Sequence, residues 1–352
     1  MVPALAIADA LRASGAHVEF VGGERAEREL VPAAGYPFHT LPMAGIDRQN
    51  PLRAARAIAL AGAATARARR LLLQIGADVV LGGGGYAAGP VGLAARSLGL
   101  GLLLCEADSH LGLANRLLAP LADRVCLALP LPGRTPPKYL VTGRAVPEAT
   151  AHPDRERARA RFGIGAQETC VLVFGGSLGA RSLNEAAVAA FAGEASCTVL
   201  HTCGRRDFEW LRRRLAAAGS PPHYHLHAYV EPFADALGAA DLAVARAGGS
   251  VFELAAAGVP SLLVPYPHAT SDHQAGNARW MVDGGAAVVL PDADLSPQRL
   301  AREVVALVRD HERRQRMSGA ALALARPDAA QRIADEALGL AARRAEPGGR
   351  AA

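Results

Sequence analysis

Aromatic residues are scarce in this chain, 5% of its 352 residues, while alanine, glycine, leucine and valine abound. That balance disfavours an all-β sandwich and favours small-residue helices packed closely on a sheet. Lysine is nearly missing: Lys138 is the only one, so the formal charge of +5 comes from arginine. No arginine-rich block is interleaved with stacking aromatics, so nucleic acid is not an expected partner, although nucleotides remain open. Cys105, Cys126, Cys170, Cys197 and Cys203 are odd in number and scattered, without a Cys-x-x-Cys pair. They read as reduced thiols of a cytosolic protein, not as a disulfide frame or zinc site. No apolar run is long enough to span a bilayer, and the N-terminus lacks a charged segment followed by a cleavable apolar stretch. A soluble or peripheral protein is expected. The sequence also lacks a Walker pattern, against that NTPase class.

What is present is an alternation of short apolar runs and helical stretches, in a chain long enough for two domains with sizeable cores. Residues 3–13 place Leu5, Ala8 and Leu11 on one helical face, and residues 17–21 read as a strand ending at Gly22-Gly23. A doubly wound domain normally opens with its central strand and a glycine turn, so a strand and a loop are missing from the usual pattern. A helix over 51–73, a strand over 77–81, a helix over 87–98 and a strand over 101–106 follow. The proline-rich stretch 129–137 and the residues 141–147 interrupt the alternation, which places a boundary near residue 147. A second alternation then runs through strands at 170–174, 197–202, 224–228, 241–245, 261–264 and 286–290, with helices between them and over 297–318 and 328–343. The expected architecture is α/β: a domain over 1–147, a second over 148–327, and a helix with tail over 328–352.

Three strand-to-helix junctions of the second half carry the chemistry. Residues 171–181 (VLVFGGSLGAR) are an apolar strand, a glycine turn and a helix start, whose free N–H groups suit a phosphate. Gly176 and Gly179 would let backbone approach a diphosphate, and Ser177 adds a hydroxyl donor. A tight turn using glycine sterically explains the segment equally well. Residues 241–260 repeat the pattern with Arg246, Gly248, Gly249 and Ser250, and Glu253 stands where a carboxylate could hold a ribose diol. The bland reading of Ser250 to Glu253 is a helix-capping box. A third cluster, 264–278, brings His268, Asp272, His273, Gln274 and Asn277 to a helix start, where they could read sugar hydroxyls or simply cap the helix through Ser271 and Gln274. All three would lie together at the carboxyl end of an open sheet, where such folds bind ligands. Asp292-Ala-Asp294 matches the metal-binding Asp-x-Asp of many glycosyltransferases but precedes Ser296-Pro297, a helix cap and first position, and reads as a turn. Neither a metal nor a cofactor is expected. In the first half, 79–90 (VVLGGGGYAAGP) and 103–118, with Glu106, Asp108, His110 and Asn115, are further strand-to-loop segments that could wall a cleft or merely cap and pack.

Taken together, these segments resemble the peptidoglycan N-acetylglucosaminyltransferase family, MurG. The resemblance is carried by Pro3 to Ala8, Glu29 to Pro32, Gly84 to Tyr86 with Gly89-Pro90, Glu106 to Asn115, Gly175 to Asn184, Arg246 to Pro260 and Asp272 to Ala278. It implies a GT-B fold, two Rossmann-like domains facing across a cleft. It also implies an inverting transfer of N-acetylglucosamine from UDP-N-acetylglucosamine to the 4-hydroxyl of a polyprenyl-diphosphate-linked muramyl pentapeptide. Donor-binding positions by this resemblance are Asp108, Gly176, Ser177, Gly179, Asn184, Val230 (to uracil through its backbone), Arg246, Gly248, Gly249, Ser250, Glu253 (to ribose), His273 and Gln274 (to the sugar). Tyr86, Glu106 and Asn115 match cleft positions of the first domain and are the catalytic candidates. The implied location is the cytoplasmic face of the cell membrane, touched by arginines such as Arg53, Arg56, Arg67 and Arg70.

Departures from the family pattern qualify this picture. Asp108 stands at what is commonly asparagine, and Gly143-Arg-Ala-Val-Pro147 replaces Gly-Asn-Pro-Val-Arg, so the hinge arginine is displaced. The Arg246 to Glu253 loop is one residue short. The family's Gly-Gly-x-Gly-Gly-His loop, with its candidate base histidine, would precede the residues matching Val2-Pro3; a start codon placed too late is the expected reason for its omission. The competing readings are another GT-B UDP-sugar transferase, a UDP-N-acetylglucosamine 2-epimerase and a catalytically inactive UDP-sugar-binding protein.

Overall fold

Short runs of small apolar residues between glycine turns produce parallel strands, most of them separated by helices. The computed structural model describes residues 1–24, 26–42, 51–176, 179–193, 195–269 and 273–345, with only the backbone of 51–59, 344 and 345. Ser177, Asp272 and the side chains of Arg53 and Arg56 therefore lie outside the described residues. The chain divides into two units, Met1–Pro147 with Asp328–Ala352, and Glu148–Pro327.

The first unit runs α1 (Val2–Ala13), β1 (Phe20–Gly22), α2 (Glu27–Ala33), β2 (Phe38–Thr40), α3 (Pro51–Gln74), β3 (Val79–Gly82), α4 (Gly85–Ser97), β4 (Gly101–Glu106), α5 (Leu113–Leu118), β5 (Arg124–Leu127) and β6 (Tyr139–Val141). β3, β4, β5 and β6 form one parallel sheet in that order, whereas β1 and β2 pair in a sheet of their own.

The second unit runs α6 (Glu148–Ala151), α7 (Arg155–Phe162), β7 (Cys170–Phe174), α8 (Arg181–Phe191), β8 (Thr198–Thr202), α9 (Arg205–Ala217), β9 (Tyr224–His227), α10 (Phe233–Ala239), β10 (Leu242–Ala245), α11 (Ser250–Ala256), β11 (Ser261–Leu263), α12 (His273–Asp283), β12 (Ala287–Val289), a 3-10 turn (Asp292–Asp294), α13 (Pro297–Arg309) and α14 (His311–Leu324). One helix was expected over 297–318; instead Asp310 interrupts it and caps α14 by accepting from the Arg313 N–H at 2.9 Å. The Asp292–Asp294 turn leads into α13, capped by Ser296 with Pro297 at its start.

The last helix, α15 (Ala329–Ala345), returns to the first unit. Ile333, Ala337 and Leu340 recur at helical spacing and bury one face against Leu103 and Cys126 of the sheet and Ala6, Ile7 and Leu11 of α1. Ile333 and Leu340 each contribute about 1.5–3 kcal/mol by leaving water, and Gly101 has no side chain to obstruct Leu340.

The second unit's sheet sets the site. Its strand order is β12-β11-β10-β7-β8-β9, all parallel. From β7 the chain winds outward through β8 and β9, then crosses back to β10 on β7's other side. The winding therefore reverses between β7 and β10, the kind of junction where open α/β sheets leave a crevice for a ligand. β7, β8 and β10 are buried along their entire length, as uninterrupted strands covered on both faces should be.

Candidate donor site

The register pairs Phe174 with Ala245, so the two glycine turns leave the sheet side by side at this junction. After β7 the chain turns through Gly176 at φ +88° and Gly179 at φ +74°, where a side chain is strained. Gly179 is also pinned sterically: a Cβ there would lie 2.1 Å from the Cys203 carbonyl oxygen. The turn delivers the chain to the N-terminus of α8, an 11-residue helix whose first N–H groups point back toward the turn. Gly248 differs, since a Cβ there would meet nothing within 4 Å. Protein packing does not require glycine at that position, which leaves open space for a ligand.

Gly249 occupies the cap position of α11 and Ser250 the first helical one. The serine therefore does not cap the helix as a Ser250 to Glu253 box requires. Glu253 instead lies within electrostatic reach of the segment after β9. Burial raises the Tyr229 phenol pKa, with the Glu231 carboxylate adding to it, Arg205 opposing and Glu253 adding further. Val230, beside it, is buried. Gln274, in the first turn of α12, accepts the Tyr266 N–H through Oε1 at 2.9 Å. That bond commits its oxygen to backbone and leaves the amide NH2 as the donating end. His273 begins the same helix.

Two residues expected to touch the donor have different partners. Asn184 is fully buried under the glycine turn: Nδ2 donates to the Cys203 carbonyl and to Asp207, and Oδ1 faces His201 Nε2 at 3.1 Å. Arg246 is 6% exposed, and its guanidinium donates to the carbonyls of Val264 and Pro265 and to Ser182. Both therefore brace the loops from beneath. Asp207 is held ionised: hydrogen bonding from Arg206 lowers its pKa most, with Arg181 and Asn184 contributing against a desolvation that raises it.

In the first unit, Glu106 and Asn115 organise a loop together. The Glu106 carboxylate accepts from the N–H groups of Asp108 and Gly112 and from Asn115 Nδ2. Asn115 Nδ2 also donates to the Cys105 carbonyl. These three donors make Glu106 a scaffold for the β4–α5 loop. Gly112 takes the cap of α5, so neither Asp108 nor Ser109 caps that helix. Asp108 faces Arg144 at 3.9 Å, while Arg144 donates to the Ala107 carbonyl at 2.8 Å. Tyr86 packs on Gly23, where a Cβ would come within 2.1 Å of the phenol oxygen.

Comparison with known proteins shows the family of the chain. Residues 1–127 match the glycosyltransferase family 28 N-terminal domain and residues 170–333 its C-terminal domain. The UDP-N-acetylglucosamine--N-acetylmuramyl-(pentapeptide) pyrophosphoryl-undecaprenol N-acetylglucosamine transferase of Nitrosococcus oceani is 42% identical, covering 96% of this chain and 95% of the relative. The protein of the same description from Aeromonas hydrophila is 40% identical over 96% and 93%. The chain belongs to the MurG family. A solved MurG structure, from Acinetobacter baumannii, superposes with a TM-score of 0.75 at 31% identity, covering 96% of this chain and 95% of that one. The fold is thus the GT-B fold expected of a MurG-family glycosyltransferase.

Sequence reasoning missed His201 and Tyr224, which close the polar network beneath the glycine turn with a 2.8 Å contact. The available signal was a histidine between threonine and leucine residues in a strand with no solvent-facing alternation. It also missed the Arg144 to Asp108 pairing, legible only as two separate departures from the family pattern.

Proposed function

We propose that this protein transfers N-acetylglucosamine from UDP-N-acetylglucosamine to the 4-hydroxyl of a polyprenyl-diphosphate-linked N-acetylmuramyl pentapeptide. The observation that carries this reading is identity of about 40% with transferases of that description over nearly the whole chain. The site supports it chemically. Gly176, Gly179 and the α8 N-terminus, together with Ser177, receive the diphosphate. Val230 contacts uracil, Glu253 accepts from the ribose diol, and His273 and Gln274 face the sugar. Gly248, Gly249 and Ser250 form the opposite lip of the diphosphate site. Helix N-termini and oriented N–H groups stabilise the charge that develops on UDP as it leaves. Asn184 and Arg246 act from below this site by holding its loops. In the first unit, Tyr86 is the acceptor-side candidate and Asp108 a donor-binding one, and Glu106 and Asn115 shape the loop that carries Asp108.

The lipid-linked acceptor calls for contact with the cytoplasmic membrane face. No described helix is long and apolar enough to cross a membrane. Leu73, Leu93, Leu117 and Leu121 on the first unit are exposed, and Arg67 and Arg70 on α3 are exposed with them. Exposed apolar side chains beside arginines suit a peripheral contact with anionic lipid.

The test is incubation with labelled UDP-N-acetylglucosamine and a short-chain lipid-linked muramyl acceptor. Formation of the β-linked disaccharide lipid with release of UDP is the expected result. Free epimerised sugar without transfer would support an epimerase instead, and tight UDP-sugar binding without any turnover a binding protein.

A further inference from the structure

The Asp292-Ala-Asp294 turn reads from sequence as a simple connection, yet Asp292 is the carboxylate that the described residues place against buried Arg246. Arg246 Nη1 lies 2.6 Å from Asp292 Oδ1, with side chains 7% and 24% exposed. The angles of this approach fall outside hydrogen-bond geometry, leaving Asp292 Oδ1 and Arg246 Nε without hydrogen-bond partners among the described residues; the contact is a charge pair. The other groups bound by the guanidinium are neutral: the carbonyls of Val264 and Pro265 at 3.0 and 3.3 Å and the Ser182 hydroxyl at 2.7 Å. The Tyr266 ring lies beside it, 5.5 Å from Cζ to the ring centroid. Arg246 thus ties together the ends of β10 and β11, the first turn of α8 and the turn after β12.

This arrangement leads directly to Gln274. Pro265, whose carbonyl Arg246 holds, precedes Tyr266, whose N–H binds Gln274 Oε1. A buried guanidinium without a counter-charge is costly, so it moves toward water or draws its neighbours with it. We propose that Asp292 is a positioning residue for donor-sugar selection: by neutralising and seating Arg246 it fixes the Val264–Tyr266 segment, and that segment fixes the orientation in which Gln274 presents its NH2 to the sugar. The inference rests on the sugar-facing role of Gln274 proposed above.

The test is calorimetric titration of the full chain with UDP, UDP-N-acetylglucosamine and its 4-epimer UDP-N-acetylgalactosamine, for wild type, Asp292→Asn, Gln274→Ala and the double variant. Asp292→Asn should bind UDP within about twofold of wild type but lose about tenfold of the preference between the two sugar nucleotides, the scale of one hydrogen bond. Gln274→Ala should lose the same preference, and the double variant should be no worse than Gln274→Ala alone, because both changes remove one interaction. A merely structural role for Asp292 would weaken all three ligands equally or leave the preference between the two sugar nucleotides unchanged, and either result overturns the proposal. If Gln274→Ala keeps its sugar preference, the role of Gln274 itself fails and the inference falls with it. Should Asp292→Asn be too unstable to titrate, Asp292→Glu keeps the charge but displaces Arg246 by a methylene. It must show the same loss of preference with UDP binding intact, and full preference there also overturns the proposal.

Discussion

Replacing His201 with glutamine should flatten the pH dependence of stability between pH 7 and 5. His201 is wholly buried on β8, and desolvation lowers its pKa from 6.5 to about 3. Its tautomer follows from its neighbours: Asn184 must turn Nδ2 toward Asp207 and the Cys203 carbonyl, so Oδ1 faces His201 Nε2, which carries the proton, and Nδ1 accepts from the Tyr224 hydroxyl. Between pH 6.5 and 3 the unfolded chain binds a proton at this histidine that the folded chain refuses. Its contribution to stability is therefore complete above pH 6.5 and lost as pH falls toward 3. At 1.36 kcal/mol per pH unit, with the titration midpoint included, the loss between pH 7 and 5 is about 2 kcal/mol. Glutamine can donate to Asn184 and accept from Tyr224 without titrating. Burial lowers the pKa of His225 and His227 as well, so the informative quantity is the difference between wild type and variant. Urea unfolding at both pH values, followed by circular dichroism, measures it. If both proteins lose stability equally on acidification, the neutral buried histidine is refuted.

The glycine turns give a paired prediction. Gly179→Ala, forced into φ +74° with its Cβ 2.1 Å from a carbonyl oxygen, should lose more than about 1 kcal/mol of folding stability. Gly248→Ala should stay within about 0.5 kcal/mol of wild type yet weaken UDP binding; thermal melts with titration of UDP distinguish the two, and equal behaviour would reject ligand space at Gly248. Glu253→Ala should weaken UDP binding by about 1–3 kcal/mol through loss of the ribose contact, and unchanged calorimetric affinity in a folded variant would remove that role. Glu106→Gln should destabilise the first unit by about 2–3 kcal/mol, because an amide cannot accept from all three N–H donors; an unchanged urea midpoint would contradict the loop-scaffold role. Replacing Leu73 and Leu117, 60% and 65% exposed, by glutamate should lower co-sedimentation with anionic vesicles while leaving UDP affinity intact. Equal sedimentation would place the membrane contact elsewhere.

Local signals made much of the fold legible. The five apolar residues of β7, the glycine turn and the amphipathic start of α8 identify themselves within a dozen positions, because burial on both faces and positive φ restrict residue type locally. Short or half-exposed elements such as β2, β6 and α10 escaped notice, since three to seven residues carry too little periodicity.

By itself the sequence determined the α/β class, the family and which strand ends carry the polar clusters, all properties of residue type and order. Tertiary structure alone decided which polar side chains of those motifs are buried against protein partners. Asn184 and Arg246 lie in the same motifs as Gly176 and Glu253, but the packing of β8 and of the Asp292–Asp294 turn beneath the sheet end provides them with buried partners. A buried polar group must satisfy itself where it is. Whether a residue binds the donor or supports the loop that does depends on contacts tens of residues away, and no spacing in the motif encodes them.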